Sequence, residues 1–102
     1  MRLATIDIGT NTAQLLVVER DGPELRRIHS AERFVRLGEG VDARGRITTA
    51  AQDRLLDALH DHAQAAREHG AETISIAGTS ALRDAANRDE ILSAIQDRLG
   101  LS

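Results

Sequence analysis

The chain opens with two apolar stretches, Leu3 to Ile8 and Leu15 to Val18, rich in Ile, Val and Leu and parted by Gly9, Thr10, Asn11 and Thr12. Short β-branched runs on either side of a small polar break predict strand, tight turn, strand. Asp21, Gly22 and Pro23 make the next break, and Glu24 to Val35 mixes apolar with charged positions as an exposed outer strand does. The first three elements are therefore expected to form a meander. Arg36 to Thr48 holds three glycines and reads as a loop. Helical spacing then takes over: Leu55, Leu56, Leu59, Ala63 and Ala66 share one face, with Thr49 and Gln52 as a capping box in front and Gly70 as the stop behind.

Thr73 to Thr79 is short, β-branched and apolar, which predicts a buried fourth strand. Ser80 offers an N-cap for a helix reaching Ala85, and Asn87 permits a break. Arg88 to Leu99 then forms a further helical run, with Ile91, Leu92, Ile95 and Leu99 on one face and Gly100 closing it. The order β-β-β-α-β-α is that of an α/β domain. A final helix in such a pattern normally returns the chain to another strand, so the pattern is expected to be truncated, its fifth strand lying beyond Ser102.

A length of 102 residues allows one small domain. Sixteen alanines and a single aromatic residue, Phe34, mean that its core must be aliphatic and Ala-packed. The absence of Cys excludes a disulfide framework, a thiolate nucleophile and Cys-ligated zinc. Thirteen basic against sixteen acidic residues, with no Trp or Tyr, argue against a duplex-binding basic face and a stacking platform for single strands. Every basic residue is Arg, so there is no P-loop lysine, and a bound phosphate would meet forked guanidinium donors or backbone amides. No apolar run approaches the roughly 20 residues that span a bilayer. A soluble, cytoplasmic protein without membrane contact is expected.

Chemistry concentrates first at the turn. Asp7 sits by position in an apolar strand, where a buried carboxylate needs a partner or a cation. Gly9 would let a ligand approach the backbone, successive N–H groups of a tight turn can form an anion nest, and the Thr10 and Thr12 hydroxyls add donors. Asp7 would then hold Mg²⁺ beside that phosphate. A plain hairpin with an Asx turn at Asn11 accounts for the same residues. The second candidate is Gly78, Thr79, Ser80 and on to Asp84, where a strand ends and a helix begins, a preferred edge for ligands in open α/β sheets. Arg83 there would contact an anion bidentately, or would be a surface residue opposite Asp84 or Glu90. Two other patterns are set aside. Gly38 to Ala43 matches G-x-G-x-x-A but does not join a strand directly to a helix. His60, His62 and His69 read as a solvated helix face, and His29 as exposed on the third strand.

Three segments resemble one family: AxIDIGTNTxQLLV at Ala4 to Val17, RLGEGVDARGRIT at Arg36 to Thr48, and AGTSALRDAANRDE at Ala77 to Glu90. Together they resemble the exopolyphosphatase and guanosine pentaphosphate phosphatase (Ppx/GppA) family of the actin, Hsp70 and sugar-kinase superfamily. The resemblance implies an RNase H-like fold, of which residues 1–102 would be the N-terminal part of the first of two lobes. It implies Gly9, Thr10, Asn11, Thr12 and Arg83 as phosphate-binding residues, Asp7 near Mg²⁺, and polyphosphate or pppGpp as substrate. The general-base Glu and the second phosphate loop of the family are expected beyond Ser102, so these 102 residues alone are expected to be inactive. A homodimer is expected, paired through the fourth strand. A kinase or ATPase of the same superfamily, or a non-catalytic nucleotide-binding or assembly module, are the alternatives.

Overall fold

A computed structural model describes residues 1–39, 41 and 45–101. Strands β1 (Arg2–Ile8), β2 (Thr12–Asp21) and β3 (Glu24–Phe34) form the meander, followed by helix α1 (Thr49–Glu68), strand β4 (Thr73–Gly78), the single turn α2 (Ser80–Arg83) and helix α3 (Arg88–Leu99). The sheet order is β3-β2-β1-β4. β1 pairs antiparallel with β2 and parallel with β4, as the long crossover through α1 requires.

Alternation along the strands divides the sheet into two faces. Ala4, Ile6 and Ile8 of β1 and Ala13, Leu15 and Val17 of β2 are buried in one cluster with Leu55, Leu59, Ala63 and Ala66 of α1 and Ile91 and Ile95 of α3. Ala51, Ala58, Ala63 and Ala66 are all buried on α1, so the alanine excess serves the close approach of helix and sheet. Thr5, Asp7 and Gln14, on the opposite alternation, are exposed. β2 is longer than its apolar run because its inward positions continue to Ala13 and it is hydrogen-bonded on both sides.

Four expectations change. Thr48, not Thr49, caps α1, its hydroxyl accepting from the Ala51 N–H at 3.1 Å, while Gln52 donates its amide to the Ile47 carbonyl instead of closing a capping box. β4 is not buried. As the outermost strand it exposes Thr73, Ser75 and Ala77 and half-buries Ile74 and Ile76. The helix at Ser80 stops at Arg83, since the Ala86 N–H is taken by the Gly45 carbonyl at 3.1 Å.

The fourth change concerns the histidines. His62 is buried, with Nε2 at 2.8 Å from the Ala13 carbonyl under the sheet. His29 is half-buried and stacks on His69 with ring centroids 4.1 Å apart. On the outer side of α1, Arg33 of β3 is ion-paired to Asp61, and with His60 holds the Asp61 carboxyl below its ordinary range. No helix among the described residues is long and apolar enough to cross a membrane.

Candidate functional site

Because β1 and β4 run parallel and β2 runs back, the segments 9–11 and 79–83 and the start of β2 all lie at one end of the sheet. This is the carboxyl end of the parallel pair, where open α/β sheets receive ligands. The turn is closed by the Gly9 N–H donating to the Thr12 carbonyl at 2.8 Å. A Cβ on Gly9 would stand 3.2 Å from that same oxygen, so a side chain there would crowd the turn.

The carbonyls of the turn face the loop after β3: Leu37 N–H donates to Thr10 at 2.7 Å, and the Val35 and Arg36 N–H groups donate to Asn11 at 2.7 and 3.1 Å. A trans peptide directs its C=O and N–H oppositely, so the Asn11 N–H is turned away from that loop. Among the described residues, the N–H groups of Thr10 and Asn11 are bonded to no acceptor. Nor does the Asn11 side chain bond anything described, so it makes no Asx turn. The segment is a hairpin, and among the described residues it keeps two N–H donors without an acceptor.

Asp7 departs from the expectation of burial. It lies on the open face, exposed, in a cross-strand row with Ala77, Gln14 and Glu32. Gln14 donates to Glu32 at 2.8 Å, and the Asp7 carboxylate has no hydrogen bond or ion pair among the described residues. Its exposure spares it the desolvation penalty that a buried carboxylate would carry. Thr5, Asp7, Gln14, Arg27 and Glu32 line one open hollow of the sheet. The described residues include no group of three or more His, Cys, Asp or Glu able to hold a metal by themselves. A single exposed carboxylate such as Asp7 is a donor of the kind that Mg²⁺ takes together with water and substrate phosphate.

At the neighbouring strand end, Thr79 ties β4 to β1, donating both its N–H at 2.9 Å and its hydroxyl at 3.0 Å to the Ile8 carbonyl. A Cβ on Gly78 would meet Leu82 Cδ2 at 3.0 Å, which explains the small residue there. Arg83 is exposed and makes no ion pair among the described residues. Glu90, a candidate partner for it, is 3.2 Å from Arg46 instead. With only four residues, α2 has too few aligned peptides for the expected helix-terminus attraction, so an anion here would depend on the Arg83 side chain.

Two residues important for the site's framework went unread in the sequence. Asn87, expected as a simple break, is buried and grips both backbone groups of Ile47, accepting from its N–H at 2.9 Å and donating to its carbonyl at 3.0 Å. Arg54 of α1 donates to the carbonyls of Val35 and Arg36, at 3.1 Å each. Its only sequence signal is an arginine flanking the apolar face of α1. The glycine-rich run beginning at Gly38 lies partly outside the described residues.

Residues 16–102 match the family described as the Ppx/GppA phosphatase family. The chain is 42% identical to exopolyphosphatase 2 of Mycobacterium tuberculosis over 97% of its own length and 32% of that protein's. It is 38% identical to a guanosine-5'-triphosphate,3'-diphosphate pyrophosphatase of Aeromonas hydrophila, covering 88% of this chain and 18% of that one. Among solved structures, an exopolyphosphatase from Cytophaga hutchinsonii superposes with a TM-score of 0.94 at 30% identity, over all of this chain and 33% of that one. The chain thus spans about a third or less of the length of these relatives.

Proposed function

The chain belongs to the Ppx/GppA phosphatase family, and from that membership we propose that it supplies the first phosphate-binding half-site of a phosphoanhydride hydrolase. The whole protein would release terminal phosphate from inorganic polyphosphate or the 5′ phosphate of pppGpp, with Mg²⁺. The fold is the α/β, actin-like fold of this family's solved members. The names of the relatives, exopolyphosphatase and guanosine-5'-triphosphate,3'-diphosphate pyrophosphatase, support these two substrates.

One observation carries the reading. Two N–H groups, a carboxylate and a guanidinium without partners among the described residues belong to elements that meet at one end of one sheet. The N–H groups of Thr10 and Asn11 would receive a phosphate oxygen, with the Thr10 and Thr12 hydroxyls as further donors. Arg83 would engage the phosphate chain with its forked donors. Asp7 would hold Mg²⁺, which when bound neutralises charge on the transferred phosphoryl group.

The test is Asp7→Asn in the whole protein, measured as Mg²⁺-dependent phosphate release from polyphosphate and from pppGpp. Release should fall at least about tenfold with the far-UV circular dichroism unchanged, because losing a metal-positioning carboxylate removes transition-state stabilisation. Unchanged release from both substrates would show that Asp7 does not hold the metal.

A further inference from the structure

The segment 35–37 is held from two sides. Its N–H groups reach the turn, donating to the carbonyls of Thr10 and Asn11 at 2.7 to 3.1 Å. From the other side Arg54, half-buried on α1, donates Nε to the Val35 carbonyl and Nη2 to the Arg36 carbonyl. Between these two sets of bonds Arg36 has φ of 48°, a left-handed conformation that a non-glycine residue keeps only where its surroundings over-determine it. Its N–H on Asn11, its carbonyl on Arg54 and its guanidinium 5.6 Å from the Phe34 ring are those determinants.

We propose that Arg54 is a positioning residue for the phosphate turn, its fork holding 35–37 so that this segment in turn fixes the carbonyls of Thr10 and Asn11 and aims the Asn11 N–H outward. The proposal rests on the reading of residues 9–12 as a phosphate site. Arg54 touches no substrate. Its two donors engage two successive carbonyls, a task for a forked guanidinium that the single point charge of a lysine does not reproduce.

The test is kinetic, on the whole protein with inorganic tripolyphosphate and Mg²⁺. Arg54→Ala should raise KM about tenfold with kcat within about twofold, since a misaimed amide weakens substrate and transition state alike. Millimolar guanidinium ion should restore much of the lost affinity, and methylammonium should not. Arg54→Lys should remain impaired. Arg33→Ala, which removes the ion pair to Asp61 further along the same helix, should leave KM unchanged. Unchanged KM in Arg54→Ala, full rescue by lysine, or an equal KM rise in Arg33→Ala would overturn the proposal. So would loss of the fold in both Arg54 variants, since the role would then be purely structural. Failure of the underlying phosphate reading is distinguishable, because the amides of residues 9–12 of the unsubstituted protein would then not shift in a ¹⁵N titration with tripolyphosphate, whereas failure confined to Arg54 leaves those shifts standing.

Discussion

Asn87 shows what a single side chain does here. Its amide pairs with both backbone groups of Ile47, and the Ala86 N–H with the Gly45 carbonyl, so the end of the glycine-rich loop is fastened to the start of α3. In Asn87→Ala the Ile47 carbonyl keeps the Gln52 amide, but the Ile47 N–H is left buried and unpaired. That should lower stability by about 1–3 kcal/mol, read as a shift in urea midpoint at constant m-value. A change below a few tenths would mean that water replaces the amide. Local context explains why this residue was misread: Asn favours helix breaks, and nothing in its neighbours 40 positions earlier announces that Ile47 is its partner. Asp7 was misread for a related reason. Apolar neighbours along a strand say nothing about which face a helix covers, and period-2 alternation puts Asp7 on the face opposite Ile6 and Ile8.

Elements were more legible than their surroundings. The meander, α1 and α3 follow from periods of two and of three to four residues, and the stops at Gly70 and Gly100 follow from left-handed φ values of 80° and 66°. The exposure of β4 depends on strand order, which its own apolar residues do not disclose. β4 holds the edge beside β1, with neither Pro nor a charged residue from Thr73 to Gly78. The Thr79 N–H is bonded to the Ile8 carbonyl, so by alternation the backbone groups of Thr73, Ser75 and Ala77 face β1 and those of Ile74, Ile76 and Gly78 face the open side. An apolar hollow lined by Ile76, Leu82, Leu92, Ile95 and Leu101 adjoins that edge. Such an edge pairs readily with another strand. The 102-residue chain should therefore self-associate at micromolar concentration in size-exclusion chromatography with light scattering, and Ser75→Lys should reduce the association. A monodisperse monomer would contradict this.

For the molecule as a whole, the fold and the proposed phosphate turn share one origin. The parallel pairing of β1 with β4 buries the inner face of the sheet and also brings residue 9 and residue 79 to a common end. Two of the segments that carry the resemblance in the sequence meet at that end. What it left out was the support, Arg54 and Asn87, whose contacts cross 18 to 40 positions of chain. On this account the 102 residues bind a phosphate chain through the turn at residues 9–12 and Arg83. The most direct measurement is a ¹⁵N NMR titration of the 102-residue chain with tripolyphosphate and Mg²⁺. The predicted result is that the largest shifts fall on the amides of Gly9, Thr10, Asn11 and Thr12 and on the Arg83 side chain. Silence at those positions, or larger shifts at His60, Arg67 and Arg98 in the groove between α1 and α3, would contradict it.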